Sequence, residues 1–229
     1  KYAGRSLLLT SAACAVHCRY CFRRAFPYGE HLAGHQGWQR ALEILRRSPD
    51  VREIILSGGD PLSLDDSRLA SLFSDLEGIP PLRRLRIHTR LPVVIPRRIT
   101  AGLTEIIARS RLRPVMVLHF NHPRELEGGT AEHLAELRPL CTLLNQTVLL
   151  RGVNDAVPTL AQLSEGLFDA GILPYYVHLL DRVRGAAHFE VGEKEARSLM
   201  TALRDRLPGY LVPRLVKEIQ GQPAKTLII

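Results

Sequence analysis

The chain has 229 residues, 45% hydrophobic and 24% charged, with a formal net charge of +8. That length supports one domain with a large core, and no apolar stretch is long enough to span a membrane, which speaks against a membrane protein. The basic residues are spread out and lack runs of aromatic neighbours, which speaks against nucleic-acid binding and for a solvated surface or pockets for anionic ligands.

In chain order, apolar segments alternate with amphipathic ones. Strands are predicted at 6–10, 53–57, 85–89, 115–120, 143–150 and 174–179. Helical spacing joins Leu160, Leu163, Leu167 and Phe168, and again Ala196, Leu199, Leu203 and Leu207. A helix is also expected over 130–140. Turn and stop signals fall at Pro80-Pro81 and at Gly171. Regular strand–helix alternation implies parallel strands with right-handed crossovers, hence an α/β sheet or barrel. Six units fall short of the eight of a closed barrel, so an open, partial (β/α)6 barrel is expected, built as a single domain over 1–229.

In such folds reactive groups gather beyond the C-terminal ends of the strands. The first strand is followed by Cys14, Cys18 and Cys21 in C-x3-C-x2-C spacing, with Tyr20 just before the last cysteine. Close spacing lets one loop wrap a single iron–sulfur cluster. A [4Fe–4S] cube with three thiolates leaves one iron open to a small molecule. The alternatives are structural thiols, or a zinc site with a histidine such as His17, for which no second ligand pair is present. The remaining cysteine, Cys141, reads as a small buried hydrophobe. Four cysteines with three clustered fit a reducing, cytoplasmic setting.

The second strand runs into Ser57-Gly58-Gly59-Asp60, where glycines allow close backbone approach to a ligand. His88-Thr89-Arg90 follows the third strand, His119-Phe120-Asn121 the fourth, and His178-Leu179-Leu180-Asp181 the sixth. Gln146 lies within the fifth. Each histidine taken singly reads as a cap or a locally satisfied core residue; their shared location at strand ends is what marks a site. Near the C-terminus Lys225 stands in a Gly/Pro-containing loop after the apolar run 210–216. A lysine held there is able to form a Schiff base with pyridoxal phosphate.

The cysteine spacing resembles the signature of the radical S-adenosylmethionine enzymes. The phrases CAVHCRYCFRRAFPY, SGGDPL, RIHTRLPVVIPRRIT, NQTVLLRGVND and YYVHLLDRVRGAAHF resemble, nearly end to end, the lysine 2,3-aminomutase family, and within it the bacterial branch that serves elongation factor P modification. The resemblance implies a radical S-adenosylmethionine type of partial barrel. It implies a [4Fe–4S] cluster on Cys14, Cys18 and Cys21, S-adenosylmethionine on its open iron, and pyridoxal 5′-phosphate on Lys225. Tyr2 and Arg5 match a phosphate-contacting pair; a guanidinium suits a phosphate. Tyr20 is placed near the adenine, with Ser57, Gly58, Gly59, Asp60, His119, Asn121 and Gln146 as further S-adenosylmethionine contacts.

Arg23 matches the arginine that grips the substrate α-carboxylate, and Asp181 and Glu218 match two acids that hold the ε-ammonium of L-lysine. Glu218 departs from the family's aspartate, and the glycine-rich loop before the lysine is thinned to Gly221-Gln-Pro-Ala. The implied reaction is a 2,3-migration of the amino group giving (R)-β-lysine; the alternative is a catabolic enzyme giving the (S)-product. The implied partners are an electron donor such as flavodoxin or ferredoxin and, indirectly, a β-lysine ligase and elongation factor P, with neither nucleic acid nor membrane; a homo-oligomer stays open. The chain begins at Lys1, and the family's N-terminal region is expected to lie outside it.

Overall fold

The computed structural model describes residues 3–24, 26–27 and 34–228. Tyr2, assigned above to a phosphate, lies outside them. The described residues form one sheet of eight strands in the order β1 (Arg5–Ser11), β2 (Glu53–Gly58), β3 (Arg84–Thr89), β4 (Arg113–Leu118), β5 (Thr142–Val148), β6 (Leu173–His178), β7 (Arg214–Lys217) and β8 (Thr226–Leu227). Neighbours from β1 to β7 pair in parallel, and β8 pairs antiparallel to β7. Spatial order follows chain order, as successive right-handed crossovers in a partial barrel require. The six expected strands are all present. A seventh parallel strand and a short antiparallel eighth extend the sheet, and the turn between them carries Lys225 back toward β5 and β6.

Helices α1 (Gly34–Arg46), α2 (Asp66–Glu77), α3 (Leu91–Val94), α4 (Ala101–Arg109), α5 (Thr130–Ala135), α6 (Val157–Asp169) and α7 (Glu193–Arg206) lie between the strands. Local chemistry sets their ends. The Asp65 carboxylate accepts from Arg68 N–H at 2.8 Å to cap α2, and Thr100 Oγ1 accepts from Leu103 N–H at 3.0 Å to cap α4. Gly171, at φ 75°, turns the chain after α6. The helix expected over 130–140 stops at Ala135. Pro139 lacks an N–H and would clash with the carbonyl of residue 135, so the chain continues as tight turns. Phe168, expected on the apolar stripe of α6, is exposed, its ring 5.3 Å from that of Tyr210.

Alternation along each strand divides two environments. Leu85 and Ile87 of β3, Met116 and Leu118 of β4 and Leu143 of β5 join a core packed beneath α1 to α6. A second cluster joins Val177 of β6 and Leu215 of β7 to Ala196, Met200 and Leu203 of α7. The intervening residues, among them Arg86 and His88 on β3, Gln146 on β5, and Tyr176 and His178 on β6, line the concave face. Low on that face the buried Glu53 is bonded by Arg86 and meets Arg84 at 3.4 Å. Cys141 packs partly buried against the first core, and burial pushes its thiol up to about 12, in keeping with a small hydrophobe. Among the described residues no helix is long and apolar enough to cross a membrane.

Candidate active site

The sequence after β2 holds the cysteine loop against the sheet. Gly59 N–H donates to Ser11 C=O at 2.6 Å and Asp60 N–H to Ala13 C=O at 2.8 Å. A Cβ on Gly58, which sits at φ 127°, would lie 2.4 Å from Ser11 O, and one on Gly59 would lie 2.3 Å from Ala13 O. No side chain fits at either position. The close approach expected of these glycines is therefore made to the chain's own backbone, where β1 turns out into the cysteine loop.

Asp60, assigned above to S-adenosylmethionine, has both carboxylate oxygens in use. Oδ1 accepts from Leu62 N–H (3.0 Å) and Thr89 Oγ1 (2.6 Å); Oδ2 accepts from Arg90 N–H (2.7 Å) and Leu91 N–H (3.0 Å). The residue ties the end of β2 to the end of β3. Burial raises its pKa against the lowering effect of those bonds.

Cys14, Cys18 and Cys21 are free thiols, partly exposed on one loop, with a turn closed by Cys21 N–H to Cys18 C=O at 3.1 Å. The Cys14 thiol is pushed up to about 11, first by burial and then by the negative charges of Asp60, Cys21 and Cys18, with Arg23 acting the other way. Among the described residues no three Cys, His, Asp or Glu groups converge as a ready cage for an ion. The thiols thus share a loop and an electrostatic field, and as a donor set they are what iron takes. Arg23 Nη1 donates to Ser57 Oγ at 2.6 Å and to Gly58 C=O at 2.9 Å, which fixes its guanidinium over the end of β2.

Tyr20 reaches across to β3 and β4. Its hydroxyl is bonded by Arg90 and by the Asn121 side-chain amide. Arg90 also donates to Cys18 Sγ at 3.0 Å and to Glu125 Oε1 at 2.7 Å. Asn121 Oδ1 accepts from Val148 N–H at 2.8 Å, and fully buried Asn154 donates to Asn121 C=O at 2.8 Å and accepts from Leu150 N–H at 2.7 Å.

A second set of residues meets inside the barrel. Lys225 Nζ lies 2.9 Å from His178 Nε2, 3.5 Å from Gln146 Oε1 and 4.8 Å from the centre of the Tyr176 ring. Gln146 Nε2 is 3.3 Å from His119 Nε2, and the His119 and His88 rings meet edge to face at 6.0 Å. The strand register shifts between Asn145 and Gln146. Asn145 is consumed by the Phe120 backbone at 2.8 and 3.1 Å, while Gln146 turns into the barrel. Burial keeps all three imidazoles neutral: His119 falls to about 3, and His88 and His178 fall well below the usual histidine value, with the Lys225 charge contributing to each. His88 Nε2 is buried without a hydrogen-bond partner among the described residues. Asp181, beyond β6, is raised by burial and then by the like charge of Glu218, with Lys225 opposing.

The assigned residues therefore fall in two groups. Cys14, Cys18, Cys21, Tyr20, Arg23, Ser57 and Asn121 surround the cysteine loop; Lys225, Gln146, His119 and Asp181 gather at β4 to β6. Arg5 stands apart at the start of β1, in register with Glu53 and roughly 20 Å along the strand from the cysteine loop. Arg90, Asn154, His88, Tyr176 and His178 were not assigned. For His88 and His178 a signal existed, since both close a strand and alternate onto its concave face.

The chain is 53% identical to L-lysine 2,3-aminomutase of Escherichia coli (strain K12), over 99% of this chain and 66% of that protein. It is 51% identical to L-lysine 2,3-aminomutase of Haemophilus influenzae (strain Rd), over 99% and 68%. The chain belongs to the L-lysine 2,3-aminomutase family. It spans about two thirds of the length of these aminomutases, and a more distant member from Clostridium subterminale is 34% identical over 55% of its length. No protein-family model matches the chain. Among solved structures, TYW1 with a lysine–pyruvate adduct bound covers 96% of this chain with a TM-score of 0.55 at 14% identity, and covers 77% of its own. Coproporphyrinogen III oxidase (HemN) from Escherichia coli, described as a radical SAM enzyme, covers 88% of this aminomutase-family chain and 51% of its own, with a TM-score of 0.54 at 12% identity. At such identities the likeness is one of fold alone: an open, partial α/β barrel.

Proposed function

We propose that this chain is the catalytic core of a lysine 2,3-aminomutase that moves the amino group of L-lysine from C2 to C3. The observation that carries the reading is the placement of Lys225. A turn near the C-terminus brings its amine into the barrel, against His178 and Gln146 and close to a strand-end carboxyl. An amine held against a neutral imidazole suits Schiff-base chemistry. The orphaned His88 Nε2 on the same concave face offers a further contact for a bound molecule.

Cys14, Cys18 and Cys21 would hold a [4Fe–4S] cluster, and Lys225 would hold pyridoxal 5′-phosphate. When bound, these groups and S-adenosylmethionine supply the radical and the π-system that the migration needs. The protein's own residues orient and recognise. Arg23, fixed over the end of β2, presents a guanidinium to a carboxylate. The like charge of Glu218 adds to burial in raising Asp181, so an ammonium beside Asp181 would offset both effects. A substrate with a carboxylate at one end and an ammonium at the other fits these two poles; one with an acidic side chain does not.

The product we propose is (R)-β-lysine for modification of elongation factor P by a separate ligase, with flavodoxin or ferredoxin as electron donor, in the cytoplasm. The resemblance of the quoted sequence phrases to that branch supports this finer reading. The test is anaerobic reconstitution with iron and sulfide, addition of S-adenosylmethionine, pyridoxal phosphate and L-lysine, and chiral analysis of the product. (R)-β-lysine is expected. Predominantly (S)-product would overturn the elongation factor P assignment, and absence of β-lysine would overturn the activity.

A further inference from the structure

Lys225 is one of four lysines in the chain, against twenty-seven arginines. We propose that His178 is the proton acceptor for Lys225: its Nε2, 2.9 Å from Nζ, takes the proton that the amine sheds as it bonds to an aldehyde carbon. This rests on reading Lys225 as the amine that condenses with an aldehyde.

Among the contacts of Nζ are the His178 ring at 2.9 Å, the Gln146 carbonyl oxygen at 3.5 Å and the face of Tyr176 at 4.8 Å. A carboxamide oxygen and an aromatic face accept hydrogen bonds or attract a cation but are scarcely basic, and of the three the imidazole nitrogen is the strongest base. With Nζ as donor, His178 carries its own hydrogen on Nδ1 and presents a lone pair at Nε2. Burial, then the charges of Lys225 and His119, keep that lone pair unprotonated. Two further groups bear on this point. His119 is neutral behind Gln146, and Asp181 acts on the amine from beyond the strand end.

The ammonium first releases one proton to solvent; in the condensation the neutral Nζ bonds to the carbonyl carbon, both C–O bonds break, and the two remaining amine protons leave with the oxygen as water. His178 Nε2 relays them from nitrogen to oxygen and ends neutral, as it began. Oxidation states are unchanged and no further reactant is needed. General-base assistance of this kind contributes about 10²- to 10⁴-fold, and an acceptor as weak as this one belongs at the low end.

The test uses the whole chain and a small aldehyde, so that it does not depend on the cofactor. Glycolaldehyde with cyanoborohydride traps each imine as a stable alkyl-lysine, and peptide mass spectrometry gives the initial rate at Lys225 with Lys194 and Lys217 as internal references. In the unsubstituted chain Lys225 should label at least tenfold faster than Lys194. His178→Gln keeps a hydrogen-bond acceptor of similar size but cannot take the proton; it should slow labelling at Lys225 by about tenfold or more and leave the reference lysines unchanged. In His178→Ala, added imidazole should restore the rate. Wild-type labelling of Lys225 in His178→Gln, or no response of His178→Ala to imidazole, would overturn the proposal. A parallel incubation of the unsubstituted chain with pyridoxal phosphate and borohydride addresses the cofactor separately. No adduct on Lys225 there would sink the cofactor reading, while the glycolaldehyde pattern still decides the role of His178.

Discussion

Three half-buried, neutral imidazoles in one barrel should make the fold sensitive to mild acid, and His119 gives the magnitude. An unfolded histidine titrates near 6.5, whereas His119 in the folded chain falls to about 3, chiefly through burial. Its folded pKa is depressed, so the unfolded chain binds the proton first. Stability is then intact above the unfolded pKa and declines as pH falls from about 6.5 toward 3. Between pH 7.5 and 5 this one residue costs about 2 kcal/mol, and His88 and His178 act with the same sign. Asp60 and Asp181, whose carboxyls are raised, act in the opposite direction, so a comparison with His119→Gln is needed to isolate the term. Urea unfolding followed by far-ultraviolet circular dichroism at pH 7.5, 6 and 5 reads it directly. With an m-value of about 2 kcal/mol/M, the pH 7.5-to-5 fall in midpoint should be smaller in His119→Gln by roughly 1 M. Equal falls in the two proteins would refute the assignment of a half-buried, neutral His119.

Gly59→Ala puts a methyl 2.3 Å from Ala13 O, a backbone atom that has to move, so about 1–3 kcal/mol of stability should be lost. The same displacement should speed the reaction of Cys14, Cys18 and Cys21 with a thiol reagent; unchanged thiol kinetics would contradict the clamp. Asn154→Ala leaves Leu150 N–H, Asn121 C=O and Val148 C=O without their buried partner, a loss of roughly 3–5 kcal/mol by denaturant titration, and a loss under about 1 kcal/mol would argue against that network. Asp181→Asn should lower β-lysine formation at least tenfold, in the range of a lost hydrogen bond to a charged group, with iron content unchanged. Equal turnover would remove Asp181 from substrate recognition.

What the sequence makes legible follows the range of the interaction. Strand positions come from period-two alternation, so β1 to β6 and the inward direction of His88 and His178 are readable within a few residues. Cys14, Cys18 and Cys21 share one loop, and their spacing carries its own chemistry. The helix over 130–140 fails for a local reason that was also present, Pro139. Asp60 is different, because its partners Thr89, Arg90 and Leu91 lie about thirty residues away. Tyr20 meets Asn121 across 101 residues, and Lys225 meets Gln146 and His178 across 79 and 47. Such pairings are fixed by strand order and register, which alternation alone does not give.

The same distinction applies to Gly58 and Gly59 at the end of β2, which pack against the chain itself. A glycine pair reports that some backbone comes close, not whose. Here that backbone is residues 11–13, and Asp60 then locks the pair to β3. The cysteine loop is consequently held by the sheet at the residues just before Cys14, while Arg90 and Tyr20 tie its middle to β3 and β4. Lys225 arrives from the other end of the chain on β7 and β8. Two segments about two hundred residues apart therefore share one barrel mouth only because six parallel strands stand in chain order between them.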